Sequence, residues 1–170
     1  RREEQELLSV LAVKNAVPGG KLLVPGVDIK PETALELAAI PNLAGIKEAS
    51  GDIVRVSRLV DAMPVYTGND DQTVACMALG GSGVISVVSN VVPEQTRAMV
   101  RACQAGDYRL AAELQRKLLP LMDLMFSQVN PIPVKAAMKM MGFDCGECRL
   151  PLDSLTEYNA IRMRDFLTNF

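Results

Sequence analysis

Short apolar runs alternate with amphipathic segments along the first half of the chain. Four runs predict strands, at residues 21–24, 43–47, 64–68 and 84–88. Each is too short for a helix, and the last is the most strand-like because β-branched residues dominate it. Helical spacing of apolar positions lies between the runs, so strand and helix alternate. This alternation predicts an α/β fold with βαβ units and parallel strands.

Helices are predicted between and after these strands. Asp52 is expected to cap the helix that follows the second strand, and Asp107 to cap a later one. Ser154 and Glu157 predict a capping box at the start of the last helix. After residue 92 only helices are predicted. The predicted helices span 3–16, 31–39, 53–63, 69–79, 93–106, a segment from Asp107 with Leu110, Leu114 and Leu118 on one side, 130–142 and the segment after Ser154.

The number of strands leaves two architectures open. Four parallel strands do not close a barrel, and a complete eightfold barrel takes about 250 residues. The chain is therefore either an open sheet or the second half of a barrel whose first half is absent. Because the chain begins at Arg1 and not at methionine, we expect it to be cut or incompletely recorded.

Composition narrows the class of protein. The 170 residues are 49% apolar and 22% charged with a net charge of −2, which is typical of a soluble globular protein. No basic stripe occurs and aromatic residues make up only 4% of the chain. The sequence therefore indicates neither a nucleic-acid-binding surface nor a nucleic-acid partner. No apolar run approaches the roughly 20 residues of a membrane span, and no signal-peptide pattern begins the chain. We expect a cytoplasmic protein without a membrane partner.

Cysteine and histidine usage limits the available chemistry. Cys76 and Cys103 lie on apolar faces of predicted helices, where cysteine behaves as a small hydrophobe. Cys145 and Cys148 have the spacing of a redox or metal pair, but no second pair and no histidine would complete a zinc site. We therefore expect neither a metal nor another cofactor. Proton transfer must use lysine, tyrosine, carboxylate, cysteine or water.

Lys47 is the strongest candidate for catalytic chemistry. It ends the second apolar run, where a buried parallel strand would carry it at its carboxyl end. Burial favours the free amine of a lysine, and a free amine attacks a ketone to form a Schiff base. The alternative is a lysine whose stem packs while its ammonium reaches water. Spacing alone leaves both open.

Four motifs occur together in the order and spacing of a known family. They read Gly-Ile-Lys-Glu-Ala-Ser-Gly-Asp at 45–52, Tyr-Thr-Gly-Asn-Asp-Asp at 66–71, Gly-Gly-Ser-Gly-Val-Ile-Ser at 80–86 and Asn-Pro-Ile-Pro-Val-Lys at 130–135. In these motifs the chain resembles the dihydrodipicolinate synthases. The resemblance implies the carboxyl-terminal half of a (β/α)8 TIM barrel followed by a helical extension. Residues 1–92 would hold about the last four strands, and 93–170 the final barrel helix and the extension.

The resemblance also implies a reaction and its residues. Such enzymes condense pyruvate with aspartate semialdehyde to 4-hydroxy-tetrahydrodipicolinate, in lysine and diaminopimelate biosynthesis. Lys47 matches the lysine that forms the Schiff base. Ile85 matches the residue whose backbone carbonyl faces pyruvate, and Gly68 lies where a missing side chain keeps space over the substrate. The family usually forms homotetramers built as dimers of dimers.

The chain departs from the family in one motif. Members usually read Tyr-Asn-Val-Pro-Gly-Arg-Thr where this chain has Leu-Leu-Val-Pro-Gly at 22–26, followed directly by Val27. The position of the proton-relay tyrosine is then Leu22, and the arginine expected to bind the second substrate's carboxylate is deleted. The family's amino-terminal half is missing as well. Either segments of an ordinary enzyme are absent from this sequence, or the chain is a true fragment or a degenerate paralogue. We expect the 170 residues alone to be inactive.

Other functions compete with this one. Within the same superfamily the alternative is another pyruvate aldolase, of the N-acetylneuraminate lyase or keto-deoxy-sugar-acid type. The motifs at 48–52 and 130–135 favour the synthase. Outside the superfamily the alternative is a non-catalytic half-barrel scaffold.

Overall fold

The described part of the chain forms two compact units. A computed structural model describes residues 21–23 and 28–170. One unit ends at Ile85, and the other runs from Ser86 to Phe170. The predicted helix over 3–16 lies outside the described residues, as does residue 24 of the first predicted strand. The predicted domain boundary after residue 92 stays a prediction.

The first unit contains a parallel sheet of four strands in chain order. Its strands are β1 (Lys21–Leu23), β2 (Leu43–Glu48), β3 (Val65–Thr67) and β4 (Gly83–Val84). Its helices are α1 (Pro31–Ala38), α2 (Ile53–Leu59) and α3 (Thr73–Ala78), with a 3₁₀ turn at Asp70–Gln72 before α3. The predicted alternation of helices with parallel strands is confirmed.

One face of this sheet is covered by helices. Ile46 of β2 and Val65 of β3 are buried in one cluster with Leu37 of α1 and Leu59 of α2. The predicted cap of α2 is confirmed, because the Asp52 carboxylate accepts the Val54 N–H at 3.0 Å. Since successive side chains of a strand point to opposite faces, burial of Ile46 on the helix side directs its neighbour Lys47 to the other face.

The fourth strand is shorter than its composition predicts. The prediction of a strand over 84–88 is wrong beyond Val84, because β4 ends there and a 3₁₀ turn occupies Val88–Asn90. The Ser86 hydroxyl oxygen accepts the Ser89 N–H at 2.8 Å. Such local bonds between side chain and backbone compete with the ladder of a sheet, and β-branched residues nearby do not prevent this.

The second unit is helical, as predicted for the residues after 92. Its helices are α4 (Pro93–Gln104), α5 (Tyr108–Met125), α6 (Ile132–Met140) and α7 (Glu157–Asn169). The predicted cap of α5 is confirmed, because the Asp107 carboxylate accepts the Leu110 N–H at 2.9 Å. Across residues 21–23 and 28–170, no helix combines the length and the apolar character that a membrane crossing requires.

A tertiary contact sets the start of α7. The predicted capping box is wrong, because Thr156 occupies the cap position and makes no side-chain cap bond. Its N–H instead donates to the Gln128 side-chain carbonyl at 2.8 Å. The same oxygen accepts the Asn159 amide at 3.2 Å. Gln128 is 28 residues away from Thr156 in the chain, so no local pattern announces this contact.

Candidate active site

Lys47 is the penultimate residue of β2 and is half-buried. Its neighbours in the strand, Ile46 and Glu48, are 1% and 6% exposed. Because side chains alternate along a strand, these two belong to the helix-covered face and Lys47 to the opposite one. The lysine therefore stands on the face opposite α1 and α2, one residue before the carboxyl end of its strand.

The strand register places the three predicted site residues together. Lys47 pairs with Tyr66, and Tyr66 pairs with Gly83, so these three share a face. The ladder continues one residue beyond β3 and β4, where the Gly68 N–H donates to the Glu48 carbonyl at 2.6 Å and the Ile85 N–H to the Thr67 carbonyl at 2.8 Å. Gly68 and Ile85 thus lie two residues beyond Tyr66 and Gly83, on the lysine's face and at the same carboxyl edge.

The stem of Lys47 lies directly over Gly68. A β-carbon added to Gly68 would be 2.6 Å from Lys47 Cε and 2.7 Å from Ala49 Cβ. Carbon atoms in favourable contact are about 3.5–4.0 Å apart, so no larger residue fits without displacing the lysine. Gly68 therefore makes room for the amine-bearing side chain itself. An amine held in this way at the edge of a sheet can attack a carbonyl carbon that reaches the same face.

A buried ion pair lies on the other side of β2, behind the lysine. The Arg55 Nε is 3.3 Å from Glu48 Oε2. Arg55 also binds the Asp28 carboxylate and donates to the Ile29 carbonyl. This pair is not predicted from the sequence. The available signal was an arginine in the first turn of α2, between apolar residues of a helix that packs on the sheet.

Tyr66 was assigned no role from the sequence, although it stands directly opposite Lys47 in the register. Its side chain is half-buried on the same face of the sheet. The ring lies near Gly83, since a β-carbon on that glycine would be 3.6 Å from Tyr66 Cδ1. A phenol on this face adds a group that can donate and accept a hydrogen bond beside the lysine.

The glycine loop at 80–83 passes close to α3. The Gly81 N–H donates to the Cys76 carbonyl at 2.9 Å, and an added β-carbon on Gly81 would be 2.7 Å from that oxygen. The loop's glycine therefore permits a close approach of two backbone segments. Cys76 is fully buried, and this burial raises the pKa of its thiol.

The closely spaced cysteines Cys145 and Cys148 lie apart from these residues in sequence. Cys145 is exposed, Cys148 is partly exposed, and both are free thiols. Within the part of the chain that the structure describes, no group of three or more histidine, cysteine, aspartate and glutamate side chains could hold a metal ion.

The segment that departs from the family motif is described only at its start. Leu22 of β1 pairs with Gly45 of β2, two residues before Lys47. Residues 24–27 lie outside the described residues. The predicted loss of the relay tyrosine and of the arginine therefore stays a prediction.

Comparisons with known proteins agree on one family. Residues 23–169 match the Dihydrodipicolinate synthetase family. The chain is 46% identical over 148 residues to the 4-hydroxy-tetrahydrodipicolinate synthase of Caldicellulosiruptor bescii, covering 85% of this chain and 50% of that protein. The chain thus spans about half the length of the curated relatives it matches.

Solved structures of the same kind superpose on the chain. A dihydrodipicolinate synthase from Thermotoga maritima has a TM-score of 0.88 at 36% identity, over 99% of this chain and 61% of that one. The chloride-inhibited dihydrodipicolinate synthase from Acinetobacter baumannii, complexed with pyruvate, has a TM-score of 0.87 at 36% identity, with the same coverage of 99% and 61%.

Proposed function

This chain belongs to the dihydrodipicolinate synthetase family, and on that premise we propose that it is part of a lyase that condenses pyruvate with aspartate semialdehyde. The product would be 4-hydroxy-tetrahydrodipicolinate, on the route to lysine and diaminopimelate. The proposal concerns the whole protein, because the chain spans about half of its relatives' length. The 170 residues by themselves are expected to be inactive.

In this proposal Lys47 is the nucleophile. Its free amine attacks the ketone carbon of pyruvate, and loss of water leaves an iminium between the lysine nitrogen and that carbon. The positive nitrogen acidifies the neighbouring methyl group, which loses a proton to give an enamine. The enamine carbon then forms the new bond to the aldehyde carbon of the second substrate, whose oxygen takes up a proton to become the hydroxyl. The second substrate's amino group would then displace the Lys47 nitrogen from the regenerated iminium carbon, which closes the ring and frees the lysine. No metal or other cofactor takes part.

One observation carries the proposal: the amine of Lys47 shares a face and a sheet edge with Gly68 and Ile85. Parallel barrels hold their active sites at the carboxyl ends of the strands, which is where these residues lie. Gly68 would keep space for the lysine and the substrate. Ile85 would present its backbone carbonyl to the bound pyruvate. Tyr66 faces the same space and is a candidate proton donor.

The same premise extends to architecture and assembly. We infer that β1 to β4 are the second half of an eight-stranded barrel. The helices after residue 92 would supply the final barrel helix and a carboxyl-terminal extension. The complete protein would be a cytoplasmic homotetramer arranged as a dimer of dimers.

Borohydride trapping tests the proposed nucleophile. The protein is incubated with pyruvate, reduced with borohydride, digested and analysed by mass spectrometry. We expect the reduced pyruvate adduct on Lys47 and none on exposed Lys30. Trapping is preferred to turnover, because trapping needs only the iminium between Lys47 and pyruvate, whereas turnover also needs deprotonation of the methyl group and orientation of the second substrate.

Two controls make the trapping decisive. Lys47→Arg keeps the charge and should abolish the adduct. A known pyruvate aldolase serves as the positive control under the same conditions. If that control is labelled and the wild-type protein is not, the result favours a non-catalytic scaffold over an enzyme. Assays with aspartate semialdehyde and with sialic acid then separate the synthase from the N-acetylneuraminate lyase type.

A further inference from the structure

Arg55 is a nearly buried cation behind the carboxyl end of β2. Its side chain is 10% exposed, and the Glu48 side chain that it approaches at 3.3 Å is 7% exposed. The guanidinium also binds the Asp28 carboxylate and the Ile29 carbonyl, in the segment just before α1. One side chain of α2 therefore holds the segment before α1 and the end of β2.

Glu48 is held from several directions and is covalently next to Lys47. Its Oε1 accepts the Ser50 N–H at 2.6 Å, and its backbone carbonyl accepts the Gly68 N–H at 2.6 Å. Its Oε2 faces Arg55. Because one peptide links Glu48 to Lys47, a displacement of the glutamate at this strand end also moves the lysine. The lysine's stem is at the same time confined by Gly68.

Removing the guanidinium would leave the Glu48 carboxylate buried and without its opposite charge. An uncompensated buried charge is strongly unfavourable, so the carboxylate would turn towards water. This movement disturbs the turn that follows β2. Arginine suits this place because its planar group binds several acceptors in fixed directions, which a lysine ammonium does not.

From these contacts we propose that Arg55 is a positioning residue, which acts through Glu48 to set the place of the Lys47 amine over Gly68. The inference rests on the proposed function, because the amine in question is the one that attacks pyruvate. Arg55 lies on the helix-covered side of the sheet and does not touch the reacting atoms. It should therefore affect the rate of adduct formation more than the binding of pyruvate.

The test follows borohydride trapping over a range of pyruvate concentrations. A misplacement of about 1 Å can cost about 10²-fold in rate, so we expect Arg55→Met to slow adduct formation at saturating pyruvate roughly ten- to a hundredfold. The pyruvate concentration that gives half the maximal rate should change little. Arg58→Met, on the exposed side of the same helix, is the matched control and should behave as wild type.

A double variant distinguishes positioning through Glu48 from a loss of packing. Combining Glu48→Gln with Arg55→Met leaves no unpaired buried charge, so most of the trapping rate should return although the arginine is still missing. If the double variant is as slow as Arg55→Met, the route through Glu48 is refuted.

A second measurement needs no pyruvate. Acetic anhydride at low concentration labels lysine amines in proportion to their accessibility and reactivity, and mass spectrometry gives the labelling of Lys47 relative to exposed Lys30. We expect Arg55→Met to change this ratio severalfold and the double variant to restore it. An unchanged ratio in a folded Arg55→Met protein overturns the inference. Should that variant not fold, Arg55→Gln, which is also uncharged, takes its place with the same expectation and the same refuting result.

Pyruvate trapping and acetylation of Lys47 distinguish a failure of the proposed function from a failure of the role of Arg55. If the wild-type protein forms no pyruvate adduct, the proposed function fails, and the acetylation ratio alone decides whether Arg55 positions Lys47. If the adduct forms but Arg55→Met changes neither trapping nor acetylation, the proposed function stands and the role of Arg55 is refuted.

Discussion

Replacement of Gly68 by alanine tests the contact on which the candidate site depends. The added β-carbon would lie 2.6 Å from Lys47 Cε and 2.7 Å from Ala49 Cβ. Gly68 does not occupy the left-handed region of backbone conformation, so an alanine there meets no backbone strain. The effect of the substitution is therefore a collision with the catalytic candidate and with the residue two positions beyond it.

The size of the effect follows from these distances. Carbon contacts settle at about 3.5–4.0 Å, so the lysine Cε must withdraw by about 1 Å. A shift of that size in a reacting group costs about 10²-fold in rate. The β-carbon of Ala49 cannot rotate away because it is fixed to the backbone. Overpacking of this kind lowers the free energy of unfolding by about 1–3 kcal/mol.

The assay compares the Gly68→Ala variant with a second glycine variant. Gly81→Ala would place its β-carbon 2.7 Å from the Cys76 carbonyl oxygen, away from Lys47, so it should lower stability without slowing the trapping of pyruvate. Borohydride trapping gives the rate at Lys47, and chemical unfolding gives the stability of each variant. The reasoning would be refuted if the Gly68→Ala variant trapped pyruvate at the wild-type rate. It would also be refuted if both glycine variants slowed trapping equally.

The remaining predictions concern the thiols and one surface ion pair. Iodoacetamide should alkylate Cys145 in the native protein, but Cys76 and Cys103 only after unfolding. The reason is that burial covers the thiols of Cys76 and Cys103 and raises their pKa. Labelling of Cys76 or Cys103 in the folded protein, measured by mass spectrometry, would contradict this prediction. Glu147→Gln should lower the pKa of Lys139 towards 10.5, because the hydrogen bond and charge of Glu147 raise it. Since the folded-state pKa of Lys139 is raised, the contact stabilises the fold below pH 10.5, and this stabilisation is lost as the pH rises through the raised pKa. Identical NMR titrations of Lys139 in the wild-type and Glu147→Gln proteins would disprove the prediction.

Local interactions were readable from the sequence because both partners lie within a few residues of each other. The Asp52 and Asp107 carboxylates cap helices by accepting N–H groups two and three residues ahead, and both were predicted. The parallel strands were likewise predicted from short apolar runs separated by helical spacing. Lys47 was identified because a charged residue at the end of an apolar strand is conspicuous.

Features that depend on tertiary packing could not be predicted in this way, and one local competition was missed as well. The start of α7 depends on Gln128, 28 residues away from Thr156. The buried pair of Arg55 and Glu48 depends on α2 packing against the sheet, and the position of the arginine between apolar residues does not indicate its partner. The prediction of a long fourth strand failed because β-branched composition carries no information on the hydrogen bonds that serine side chains make nearby.

The sequence by itself determined the order of strands and helices, the family motifs and the lysine that carries the proposed chemistry. Only the tertiary structure decided that the stem of this lysine lies over Gly68, that Ile85 shares its edge and that Arg55 lies behind it. The physical reason is that apolar periodicity and capping act within a few residues of chain. The register of parallel strands arises only when segments about 20 residues apart pack together, and the pairing of Arg55 with Glu48 requires α2 to pack back onto β2.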